Sequence, residues 1–172
     1  MQPIAEYTTS ARPDRSVVEI YDADAYLADE AAMKASRQQV VAGNGYHLYF
    51  HSLQSDIHVK VNIRIWSMPQ KVPAQAEGFT PIHLESETGT LVIGQLTLGP
   101  AGEMELPRAG VYEGTAWWRG RDAALAYHDD LLRQIDDNWE IDQITRAWRE
   151  CPFTEEYVLD LSFSRPCAPD ED

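Results

Sequence analysis

Cysteine, basic charge and long apolar runs are all scarce in this chain. Its two cysteines, Cys151 and Cys167, are too few for a disulfide framework, and reduced thiols are the expectation. Neither has a second Cys or His at ligand spacing, which argues against a zinc site. Lys and Arg number 14 against 28 Asp and Glu, a formal net charge of -14. Nucleic-acid binding draws its affinity from neutralised phosphates, so this balance points away from such a ligand. No apolar run nears the roughly 20 residues that a membrane-spanning helix needs. The opening MQPIAEYTTSARPDRS lacks the basic and apolar segments of a secretory signal, which makes the cytoplasm the expected location. A Gly-x-Ser-x-Gly elbow is also missing, and neither cysteine sits in a glycine-rich strand-to-helix context. Nucleophilic catalysis is therefore not expected, and the residues imply no cofactor.

What the chain does have is β patterning. Residues 57–66, IHVKVNIRIW, place Ile57, Val59, Val61, Ile63 and Ile65 in strict alternation with His58, Lys60, Asn62 and Arg64. A period of two sends one set to a core and the other to water. Further strands are expected at 16–22, 46–51, 79–84, 89–98, 103–106, 111–118 and 156–163, with Pro81 marking an edge strand. Asn44-Gly45 sits between apolar segments and signals a hairpin, so residues 38–66 read as an antiparallel meander. Residues 25–36 read as a short helix, and a helical excursion is expected over 121–150. The resulting expectation is a mainly β, antiparallel β-sandwich of one domain at 16–165. A flexible leader at 1–15 and an acidic tail at 166–172 flank it.

Several side-chain groups are candidate sites. His47 and His51 fall on one strand face about 13 Å apart, too far for one metal, and His58 adds a third imidazole nearby. Glu85 with Glu87, or Glu103 with Glu105, share a strand face and would flank a sugar. Trp117 and Trp118 would supply an aromatic platform, although neighbours in a strand point to opposite faces. The acids of the last third are denser. Residues 121–172 hold 14 acids and five bases, a net charge of -9, against -5 for residues 1–120. Asp129, Asp130, Asp136, Asp137, Glu140 and Asp142 span about four turns if helical, with Trp139 among them. A solvated helix face accounts for them without a partner. The functional alternative is that they imitate phosphates in the basic cleft of a nuclease, with Trp139 as a buried anchor.

Three stretches carry a family resemblance. DEAAMKASRQQVVAGNGYHLYF with the alternating strand after it (29–66), MELPRAGVYEGTAWW (104–118) and EEYVLDLSF (155–163) together resemble the competence-associated inhibitor of the DNA-entry nuclease, the competence protein J family. The acidic segment 121–153 is a departure from that pattern. The resemblance implies a β-sandwich and a non-enzymatic inhibitor that binds a nuclease, with no catalytic residues to carry over. The expected function is thus an acidic binding protein that inhibits a basic partner, as an immunity protein to a toxin or a nuclease inhibitor. A homodimer formed through an exposed strand edge is compatible with it. A carbohydrate-binding or small-molecule-binding β-sandwich module is the alternative, and an enzyme using paired carboxylates is a third reading.

Overall fold

The computed structural model describes residues 1–169, so the last three acids of the expected tail lie outside the described residues. Ten strands and three helices run in the order β1 (Ala5–Ala11), β2 (Val17–Asp22), α1 (Glu30–Gln39), β3 (Val41–Gly43), β4 (His47–His51), β5 (Val59–Trp66) and β6 (Gly78–Ser86). They continue with β7 (Thr90–Gly94), β8 (Pro100–Glu105), β9 (Gly110–Arg119), α2 (Arg121–Gln134), α3 (Ile141–Arg149) and β10 (Glu156–Arg165). The strands form two five-stranded sheets, ordered β1-β5-β10-β9-β6 and β3-β4-β2-β7-β8. Pairing is antiparallel except between β5 and β10, which run parallel.

One buried cluster draws on both sheets. Val61, Ile63 and Ile65 of β5 and Leu159 and Leu161 of β10 join Ile20, Leu48, Phe50, Leu91 and Ile93 of the other sheet. Phe50 and Tyr157 bridge the sheets directly, their ring centroids 5.5 Å apart. Burying side chains of this size contributes about 1.5–3 kcal/mol each. The buried Tyr112 turns its hydroxyl back to donate to the Arg108 carbonyl at 2.7 Å, which fastens the turn that precedes β9.

Three expectations need correction. Residues 5–11 are not a loose leader: they pair with β5 over seven residues, Ala5 with Ile65 through Ala11 with Val59. Tyr7, Thr8 and Thr9 are good strand formers, and their low hydrophobicity suits an edge strand with only one covered face. The 38–66 meander does not form, because β4 and β5 belong to different sheets and the chain crosses between them after His51. Lastly, the helix near 25–36 begins only at Glu30, where Asp29 accepts the Ala32 N–H at 3.0 Å and caps it. It covers the outer face of β4, with Ala32 packed among Val17 and Tyr49.

The polar side of β5 is not a simple solvent face either. Asn62 is 7% exposed, and Arg64 Nε and Nη2 donate to the two carboxylate oxygens of Asp160 at 2.7 and 2.9 Å. Trp66 Nε1 and Trp117 Nε1 donate to the same carboxylate, each at 2.8 Å. Burial opposes the charge of Asp160, but these donors outweigh it and hold the carboxyl below its usual range. Next to it, Glu156 lies 3.3 Å from Lys60 and 3.6 Å from Arg119. The outer face of the first sheet is thus closed by paired charges set among buried apolar residues, Trp117 and Val158.

Candidate functional site

The acidic segment leaves the first sheet at Gly120, whose φ of 80° is left-handed. A Cβ there would run into the Thr154 carbonyl, so glycine alone fits both the conformation and the space. Its N–H donates to the Glu77 carboxylate at 2.6 Å. In α2 the residues at i, i+4 and i+7, Ala124, His128 and Leu131, are the buried ones, and they anchor the helix while the acids between them face out.

The segment is two helices and not one. Asp136 ends the first: its side chain accepts the Asn138 N–H at 2.8 Å and its carbonyl accepts the Trp139 N–H at 3.1 Å. Such a local turn competes with helix continuation. Of the expected partner-binding residues, Asp129 and Asp130 therefore lie on α2, Asp136 and Asp137 in the connection, and Glu140 and Asp142 at the start of α3. All six are exposed, and Trp139 is half-buried. Asp130 is partly neutralised by Arg133 at 2.9 Å, and Asp129 lies 3.2 Å from the His128 ring. Among the described residues, Asp136, Asp137, Glu140 and Asp142 form no ion pair.

Two contacts dock α3 on α2. The Tyr127 hydroxyl donates to the Ala147 carbonyl at 2.7 Å, and His128 stacks on Trp148 with ring centroids 4.9 Å apart. His128 Nε2 also meets Asp56 Oδ2 at 2.8 Å, which ties the arm to the loop before β5. No residue of α3 is buried, so its apolar side, Ile141, Ile144 and Trp148, lines an open groove of about 810 Å³ against the ends of β1 and β5. The amphipathic spacing of these three is legible in the sequence. Their opposite wall is not, because Arg12, His58 and Lys60 are distant in the chain.

A second polar cluster lies inside, where the sheets meet. Glu155 is 1% exposed and accepts from the Tyr157 hydroxyl at 2.7 Å, while Arg121 Nη2 donates to the His51 carbonyl at 2.8 Å. Burial raises the Glu155 pKa despite the hydrogen bond from Tyr157, and burial lowers that of His51, with Arg37 and Arg121 adding to the effect. His47 is buried too, stacked on Tyr21 at 4.9 Å. Trp117 is 2% exposed and Trp118 packs partly against the core, so the pair forms no open aromatic platform. Cys151 and Cys167 are both free, each donating to a separate carbonyl, those of Phe153 and Ser86.

No protein-family model matches this sequence, and no curated protein matches it. The fold does have solved counterparts. The chain is similar to ComJ of Bacillus subtilis, an inhibitor of the DNA degrading activity of NucA, with a TM-score of 0.60 and 11% identity over 95% of this chain and 98% of that one. It is also similar to a protein described as crocagin biosynthetic gene J, with a TM-score of 0.54 and 13% identity over 94% of this chain and all of the other. At these identities the likeness is one of fold, and it extends over almost the whole chain.

Proposed function

We propose that this protein is a non-enzymatic inhibitor that seats the carboxylates of its α2–α3 arm in the basic cleft of a partner, such as a nuclease or a toxin to which it confers immunity. The observation that carries the reading is the near full-length likeness to ComJ, an inhibitor of a DNA-degrading activity. Support also comes from a net charge of -14 and from six exposed acids at Asp129, Asp130, Asp136, Asp137, Glu140 and Asp142. On this reading the two sheets, joined by one core, serve as an antiparallel β-sandwich scaffold that holds the arm. Opposite charge on the partner speeds encounter and selects against acidic proteins. Half-buried Trp139, at the tip, supplies the apolar anchor.

The test begins with affinity capture of a basic protein from the source cell and continues with stopped-flow association. Replacing Asp129, Asp136, Asp137 and Asp142 together by Lys should slow association at least about tenfold at low ionic strength, with the difference shrinking in high salt. An unchanged on-rate at low salt would refute the role of the arm.

A further inference from the structure

The groove beside α3 has a character opposite to that of the rest of the molecule. One wall is apolar: Ile141 is 81% exposed, Ile144 and Trp148 continue the face, and Phe153, 48% exposed, closes one end. The rim is cationic, with Arg12 contributed by the segment just after β1, Lys60 by β5 and Arg149 by α3. In a chain with twice as many acids as bases, the groove lining holds a single carboxylate, Asp56. That carboxylate is already engaged by His128 at 2.8 Å and by Arg12 at 3.8 Å. Lys60 keeps 45% of its side chain exposed despite its partner Glu156, and Arg149 forms no ion pair among the described residues. His58, also in the lining, has its pKa lowered by burial first and then by the charges of Arg12 and Arg149.

We infer that this groove is a binding site for a small amphiphilic carboxylate, an acyl chain or aromatic body lying on Ile141, Ile144 and Trp148 with its anionic head between Arg149 and Lys60. The volume of about 810 Å³ falls in the range of small-molecule sites, and the groove joins one apolar wall to polar and charged groups that would fix the orientation of a ligand. The apolar body gains from covering surface that the fold leaves open. The head gains from charge-assisted hydrogen bonds to guanidinium and ammonium groups. A cationic or neutral amphiphile would gain only the first. The inference does not rest on the inhibitor reading, since a basic partner would be repelled by this rim.

The experiment is isothermal titration calorimetry of the whole chain with sodium decanoate, decanol and decyltrimethylammonium below their aggregation limits. Decanoate is expected to bind at one site per chain, at least about tenfold tighter than decanol, with no saturable binding of the cation. Arg149→Glu and Ile141→Glu change exposed side chains, and their folding is checked by circular dichroism. Each should weaken decanoate about tenfold or more, whereas Glu30→Gln on the distant α1 should leave it unchanged. Equal affinity for decanoate and decanol would overturn the site, as would undiminished decanoate binding in folded Arg149→Glu. Absence of saturable decanoate binding to the unmodified protein would overturn it as well.

Discussion

Replacing Asp160 by Asn keeps the shape of the side chain and removes its charge, which tests the outer-face network where it is most concentrated. The carboxylate accepts from Arg64 twice, from Trp66 and from Trp117, all between 2.7 and 2.9 Å. Asn offers one acceptor oxygen, and its amide N–H₂ must then face at least one of those donors. Trp117 is 2% exposed, so its indole N–H finds no water, a loss of about 1–3 kcal/mol for an orphaned buried donor. Arg64, whose side chain is 25% exposed, loses its counter-charge but is partly rehydrated. Its share therefore lies at the lower end of the roughly 3–5 kcal/mol seen when a buried pair is broken. Together these give a destabilisation of about 4–6 kcal/mol at neutral pH, read from urea unfolding followed by tryptophan fluorescence. The pH dependence supplies an independent check. The folded-state pKa of Asp160 is depressed, so its stabilising contribution is full above the unfolded value of about 3.9 and is lost as the pH falls through the folded one. The gap between the native and Asn proteins should therefore narrow below about pH 4. A cost below about 1 kcal/mol, or a gap that stays constant from pH 6 to pH 3, would refute this account.

Glu155 should behave in the opposite sense. Burial raises its pKa, so the native protein loses stability relative to Glu155→Gln as the pH rises through the folded value. The variant is expected to match or exceed the native midpoint in urea at pH 8, and a lower midpoint there would contradict the burial argument. Gly120→Ala puts a Cβ against the Thr154 carbonyl at a φ of 80°. It should lower stability by about 1–3 kcal/mol and loosen the arm, seen as faster amide exchange in α2 than in β10. Trp139→Ala, by removing the proposed anchor, should leave the association rate with a captured partner nearly unchanged and speed dissociation at least about tenfold. A change confined to the on-rate would assign Trp139 to steering instead.

Much of the β architecture is legible along the chain. The alternation in residues 57–66 and 156–163, the Asn44-Gly45 turn and the edge role of Pro81 all follow from local geometry, and all appear in the structure. The helical nature of the acidic segment is likewise readable from the spacing of Ala124, Leu125, Leu131, Leu132 and Ile135. The strand over residues 5–11 was hidden because an edge strand needs only one apolar face, and its partner lies some 50 residues away. The break between α2 and α3 turns on whether Asp136 bonds locally or lets the helix continue, and composition alone does not decide that.

The sequence by itself determined which residues of β5 face the core, the excess of negative charge and its concentration after residue 120. Those properties depend on residue type and on a period of two, which need no knowledge of neighbours. Only the tertiary structure decided which strands pair, because alternation fixes the face a side chain occupies and says nothing of the strand beside it. That is how β4 and β5, consecutive in the chain, came to lie in different sheets, and how β5 gained a parallel neighbour in β10. It is also why Asp160, polar in the sequence, is a buried anion, and why Arg12, Lys60 and Arg149 gather on one apolar groove of an acidic protein.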